Sequence, residues 1–174
     1  MYYSTTYESP LGIITLASDG DNLVGLWMER HRYRDIEAEE MTEKNDAPVF
    51  HAAKKWLDRY FAGEKTSVSE LPTAAAGSEF RREVWSILCK IPYGEVVTYG
   101  SIAKKMALKM NKERMSSQAV GGAVGHNPIS IIIPCHRVVG SNGSLTGYGG
   151  GIDVKIKLLQ LEGVDMSGLF SPKR

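Results

Sequence analysis

The run Ile131-Ile132-Ile133-Pro134-Cys135-His136-Arg137-Val138-Val139 constrains this chain more than any other stretch. Consecutive β-branched residues have the composition of a short buried strand, and Pro134, which has no backbone N–H, cannot continue a ladder. The expectation is an apolar strand that ends at Pro134 and delivers Cys135 beside His136 at its exit. A thiol attacks well only as its anion. An adjacent imidazole can take the proton, and a strand would fix the sulfur. Most cysteines in soluble chains are small core hydrophobes, so the pair needs support from the rest of the sequence.

The 174 residues, 43% hydrophobic and 24% charged, have the balance of a soluble globular protein of one or two small domains. No apolar run approaches the roughly 20 residues of a membrane span, and the N-terminus lacks a basic region followed by an apolar one, so a cytoplasmic, non-membrane protein is expected. Cys89 and Cys135 then read as reduced thiols. The net charge of +1 conceals an asymmetry: residues 1–78 hold 8 Lys or Arg against 13 Asp or Glu, and residues 79–174 hold 13 against 7. A basic second half suits a polyanion, since phosphate contacts supply the sequence-independent part of nucleic-acid affinity.

Two domains are expected, an α/β unit over residues 1–76 and a mainly helical unit over 77–174. Strand formers at 2–7, 13–17 and 23–28, separated by Ser9-Pro10-Leu11-Gly12 and Asp19-Gly20-Asp21-Asn22, predict an antiparallel meander. Residues 29–44 read as a solvated loop followed by a polar helix or mobile region, with His31 a surface residue. Pro48, an apolar stripe through Trp56 and Tyr60, and Gly63 predict a helix over 48–61; residues 63–77 read as a linker.

In the second half Ser78 caps a helix ending before Pro92, with Cys89 as packing. Thr98 caps a helix from Tyr99 to about Met106, with Lys104 and Lys105 outward. Ser116 or Ser117 caps a short helix over 118–125. The last two form a helix-turn-helix. The sequence Gln118-Ala119-Val120-Gly121-Gly122-Ala123-Val124-Gly125 is an expensive helix, because each interior glycine costs about 1 kcal/mol against alanine. Either close approach to an outside surface such as a DNA minor groove, or tight internal helix packing, would explain it. Asn127 can hold the following turn against Cys135, Gly147-Tyr148-Gly149-Gly150-Gly151 is a bent or mobile loop without the ending of a P-loop, Asp153 caps a last helix over 154–162, and residues 167–174 form a frayed tail.

Pro134-Cys135-His136-Arg137-Val138-Val139, preceded by Ala119-Val120-Gly121-Gly122-Ala123 and Asn127-Pro128 and followed by Tyr148, Gly150-Gly151, Leu158-Leu159 and Glu162-Gly163, resembles the O6-alkylguanine-DNA alkyltransferase family, also called methylated-DNA-protein-cysteine methyltransferases. The resemblance runs from about Phe80 to Gly163. It implies a ribonuclease-H-like α/β first domain and a winged-helix-like second domain with a helix-turn-helix. It also implies single-use transfer of an alkyl group from guanine O6 in double-stranded DNA, with thymine O4 a further candidate, to Cys135 of a monomer that needs no cofactor; His31 and His51 have no clustered cysteine partners, so no metal is expected.

By the same resemblance His136 takes the proton of Cys135 through a water, Glu162 orients the imidazole, and Tyr99 with Lys155 assists the leaving guanine. Tyr99, Val138, Tyr148 and Gly149 would form the base pocket. Gln118, Ala119, Gly121, Gly122, Lys104 and Lys105 would meet DNA, and Asn127 would be a structural hinge. One departure is Gln118, where many relatives place arginine; another is a longer connector at 108–115. A module that binds lesions without repairing them and a cysteine hydrolase that turns over are the competing readings.

Overall fold

The structure, a computed structural model, describes residues 1–29, 31 and 36–171. Three strands, β1 (Tyr2–Ser9), β2 (Gly12–Ser18) and β3 (Leu23–Met28), form the expected meander. Ser9 closes the first turn by donating to the Gly12 carbonyl at 2.6 Å, and Asp19 closes the second by accepting from the amides of Asp21 and Asn22. Helix α1 (Pro48–Phe61) buries Val49, Phe50, Ala53, Trp56, Leu57 and Tyr60, the stripe that its spacing predicts.

Residues 29–44 depart from expectation. A 3-10 turn at Ala38–Glu40 leads into a fourth strand, β4 (Met41–Glu43), parallel to β1, giving the sheet order β3-β2-β1-β4. The gain is backbone pairing along the β1 edge, extended by the amide of Lys44 donating to the Ser4 carbonyl at 2.8 Å. Residues 30 and 32–35 lie outside the described residues.

The expected linker is a packed strap. Ser67 and Glu70 form a capping box, Trp56 Nε1 donates to the Ser67 carbonyl at 2.9 Å, and Leu23 exchanges backbone bonds with Pro72 and Ala74. The same outer edge of β3 is covered further along, where the Leu26 amide donates to the Pro128 carbonyl at 2.8 Å and Leu26 bridges Ile129. An open strand edge would leave these groups unpaired. Covering it fastens the first half of the chain to the segment that precedes Cys135.

The second half contains α2 (Glu79–Leu88), β5 (Val97–Thr98), α3 (Tyr99–Lys109), α4 (Ser117–Gly125), β6 (Val138–Val139) and α5 (Ile152–Leu161). Ser78, Thr98 and Ser116 cap α2, α3 and α4 by accepting from Arg81, Ser101 and Ala119 amides. Trp85 of α2 donates from its indole to the Ala123 carbonyl at 2.8 Å and so locks α2 against α4. Asp153 does not cap α5. Gly151, with φ of +105°, holds that position, and Asp153 lies in the first turn, where its charge suits the helix dipole. The tail is docked as far as Phe170, which bridges Ser144 and accepts from the Leu145 amide; residues 172–174 lie outside the described residues.

The isoleucine run is not a strand. Residues 130–133 turn, Ile131 has φ of +70°, Cys135–Arg137 forms a 3-10 turn, and only Val138–Val139 is extended, parallel to β5. Every residue from 127 to 139 is buried, so hydrophobicity here records depth and not ladder pairing. Backbone satisfaction comes from local turn bonds, with the amides of Ile132, Ile133 and Cys135 donating to the Ser130, Ile129 and Ile133 carbonyls, and from Asn127, whose Nδ2 donates to the Ile133 carbonyl at 2.9 Å and whose Oδ1 accepts from the Ile129 amide at 3.0 Å. Replacing Asn127 with Ala strands the Ile129 amide in the core and leaves the Ile133 carbonyl with the Cys135 amide, at 2.8 Å, as its donor. Thermal or urea unfolding should show a loss of about 1–3 kcal/mol.

Candidate active site

The turn of Cys135–Arg137 faces the C-terminal end of α5, and a single carboxylate joins them. Glu162 accepts five hydrogen bonds among the described residues. Oε2 takes His136 Nε2 at 2.6 Å, the Tyr60 hydroxyl at 2.6 Å and an Arg137 terminal nitrogen at 3.2 Å; Oε1 takes Arg137 Nε at 2.8 Å and the Gly94 amide at 3.0 Å. Gly94 is fitted to this contact, with φ of +83° and only 3.1 Å between a built Cβ and the Glu162 carbonyl oxygen. Arg137 is itself anchored by the Ile91 carbonyl at 2.7 Å and by the Tyr93 ring.

Burial alone would raise the Glu162 carboxyl, but the bonds and charges of His136 and Arg137 carry it down to about 2. His136, fully buried, is also lowered, here by desolvation of its imidazolium, with Arg137 and Lys155 adding to the effect and Glu162 opposing it. The resting pair is therefore a carboxylate and a neutral imidazole. A carboxylate can only accept, so the imidazole proton sits on Nε2 and Nδ1 carries the lone pair. His136 Nδ1 is buried and has no hydrogen-bond partner among the described residues.

Cys135 is 7% exposed. Burial pushes its thiol up, against the pull of the Asn127 amide, the Lys155 charge, the Ser130 hydroxyl and the local backbone, which favour the anion. Lys155 is fully buried, and its Nζ donates to the Val138 carbonyl at 2.6 Å and the Thr146 carbonyl at 2.9 Å; desolvation lowers it to about 8. The Tyr99 hydroxyl also donates to the Thr146 carbonyl, at 3.1 Å, and burial and the neighbouring Cys135 push it up to about 12. Gly147, with φ of +84°, leaves room for that phenol, since a Cβ there would sit 2.8 Å from the Tyr99 oxygen. Tyr148 is buried near the sulfur, and desolvation keeps its phenol protonated.

Cys135, His136, Glu162, Tyr99, Lys155, Tyr148 and Asn127 are thus gathered at one place. The Val138 amide is engaged with the Cys135 carbonyl, and its own carbonyl holds Lys155. Gly149 lies against His31, where a Cβ would come within 3.2 Å of the ring. His31 is not the expected surface residue: it is half-buried, accepts from the Met28 amide at Nδ1 and meets Ser130 Oγ at 3.0 Å through Nε2. Tyr60, Arg137, Gly94 and Ser130 were not expected at the site. Arg137 could have been found from its place beside His136; Tyr60 reads in sequence only as part of an apolar helical stripe.

Among the described residues, the glycines of α4 meet almost nothing. A Cβ at Gly122 or Gly125 would have no neighbour within 4 Å, and one at Gly121 would only graze Tyr99 at 4.0 Å. Internal close packing therefore does not explain them. Gln118, Ala119 and Gly122 are exposed, as are Lys104 and Lys105 on α3. A cleft of about 580 Å³, within the range of small-molecule sites, opens between Tyr99, Gln118, Gly121, Thr146 and Gly147.

The family model described as 6-O-methylguanine DNA methyltransferase, DNA binding domain, matches residues 79–164, and that of the ribonuclease-like domain matches residues 1–75. The methylated-DNA--protein-cysteine methyltransferase of Methanosarcina acetivorans is 44% identical over 94% of this chain and 99% of its own length. That of Haemophilus influenzae is 41% identical over 92% and 86%. A crystal structure of the Mycobacterium tuberculosis O6-methylguanine methyltransferase superposes with a TM-score of 0.81 at 42% identity, covering 93% of each chain. A structure of Mycobacterium tuberculosis OGT in complex with DNA gives 0.79 at 42% identity, covering 97% of this chain and 94% of that one. With the same two-domain fold and a buried cysteine beside a histidine-carboxylate pair, this chain belongs to the methylated-DNA-protein-cysteine methyltransferase family.

Proposed function

We propose that this protein repairs DNA by moving an alkyl group from O6 of guanine to Cys135, once per molecule, acting as a monomer in the cytoplasm. The observation that carries this is the hydrogen-bonded pair of Glu162 and neutral His136, which turns the Nδ1 lone pair into the available base next to the thiol. A water between Nδ1 and Cys135 would pass the proton from sulfur to imidazole, and Glu162 would hold the imidazolium that forms. The thiolate then attacks the alkyl carbon. A carbon–sulfur bond forms, the carbon–O6 bond breaks, and its electron pair leaves with the guanine. Tyr99 is the hydroxyl donor for that anion, and Lys155 is the nearby positive charge. No group here would cleave the resulting thioether.

Guanine O6 is out of reach inside a duplex, so the base would be rotated into the cleft beside Tyr99, with Tyr148, Val138 and Gly149 bounding the pocket. The bare face of α4 supports a minor-groove approach, in which Ala119, Gly121 and Gly122 keep the helix slim and Gln118 fills the gap left by the base. Lys104 and Lys105 would contact phosphates. Gln118 hydrogen-bonds without bringing charge, so it would contribute little to salt dependence.

The test is intact mass after mixing with a duplex carrying one O6-methylguanine. One added methyl group per molecule, saturating at equimolar DNA and absent in Cys135→Ser, is expected. Binding without a mass change would favour a lesion-binding module, and recovery of free thiol with turnover would favour a hydrolase. A second expectation concerns Gly122→Ala. The new methyl has open space, so thermal unfolding should show a gain of up to about 1 kcal/mol from helix propensity. The same variant should bind duplex DNA more weakly in a fluorescence titration; unchanged affinity would remove α4 from the interface.

A further inference from the structure

We propose that Tyr60 is a positioning residue for the alkyl transfer, by which the first domain sets the basicity of His136 through Glu162. The inference rests on the reading of Cys135 as alkyl acceptor. Tyr60 lies in α1, in the first half of the chain and 76 residues from His136, yet its side chain is fully buried against the site of the second half. Its hydroxyl donates at 2.6 Å to Glu162 Oε2, the same oxygen that receives His136 Nε2 at 2.6 Å, and stands 3.5 Å from Nε2 itself. Stacking on Trp56 and edge contacts to Phe61 and Tyr93 fix the ring. A phenylalanine would have filled this space equally well for packing alone.

Two donors on one carboxylate oxygen compete for its charge. While Tyr60 holds part of that charge, Glu162 stabilises the His136 imidazolium less, and the imidazole stays neutral and able to accept the Cys135 proton. The charged and titratable groups facing His136 are Glu162, Arg137, Lys155 and Tyr60 itself, and Tyr93 also faces Glu162. Arg137 and Lys155 keep their own anchors on the Ile91, Val138 and Thr146 carbonyls, so a change confined to the Tyr60 hydroxyl leaves them in place. Burial and the Glu162 charge both hold the phenol protonated, so it remains a donor throughout the working pH range.

The experiment is the single-turnover rate of methyl transfer from an O6-methylguanine duplex as a function of pH. Tyr60→Phe should move the acid-side inflection upward by about 0.5–1 pH unit, because a Glu162 relieved of Tyr60 binds imidazolium more tightly. Tyr60 replaced by 3-fluorotyrosine, a stronger donor of nearly the same size, should move it downward. The inference is overturned if the inflection stays put in both variants, including the case where Tyr60→Phe lowers the melting temperature and slows transfer equally at every pH. Should Tyr60→Phe fail to fold, the fluorinated variant decides alone. Absence of transfer by the unmodified protein would overturn the reading of Cys135 and not this assignment specifically.

Discussion

A buried carboxylate that must stay charged is the constraint on which the site depends. Glu162 is removed from water, and an isolated anion at that depth would neutralise itself. Five donors prevent this: two bonds from Arg137 and one each from His136, Tyr60 and the Gly94 amide. They come from the turn after Pro134, from α1 and from the loop before β5. Those elements are far apart in sequence. Holding one charge therefore holds several parts of the fold in register, and loss of one partner would leave the others around an underpaired ion.

The sulfur side is arranged differently. Among the described residues no charged group bonds the thiol; burial opposes ionisation, and Asn127, Lys155 and Ser130 moderate the opposition. A thiol kept protonated at rest and released only when its proton has somewhere to go avoids adventitious reaction. Lys155 extends the same economy, since its charge near the sulfur is held by two carbonyls and not by an opposing carboxylate that would cancel it. The first half of the chain takes part in both sides, through Tyr60 on the carboxylate and through His31 on Ser130.

Much of this was legible in the sequence, for identifiable reasons. Most short-range signals survived: Ser78, Thr98 and Ser116 cap the helices that they announce and the stripe of α1 faces the core, while the cap expected of Asp153 falls to Gly151. The order of Asn127, Cys135, His136, Tyr148 and Glu162 carried the family resemblance, and of these Asn127 has a local backbone role. Long-range pairing was not legible. Residues 131–133 are as apolar as a strand but are satisfied by local turn bonds and one asparagine side chain, and β4 is too short and too polar to declare itself. Tyr60 and His31 reach the site only through the packing of α1 and of the β3 edge onto the second half. No periodicity encodes that contact.

The central physical claim is that His136 rests as a neutral imidazole with its proton on Nε2 and its lone pair on Nδ1. Nitrogen-15 spectra of protein labelled in its histidine rings measure this directly, with His136→Gln used to assign the signal. The expected result near neutral pH is one ring nitrogen at the shift of a protonated, strongly hydrogen-bonded Nε2 and the other at the shift of a bare Nδ1. An imidazolium, or a proton resident on Nδ1, would contradict the account, because no base would then face the Cys135 thiol.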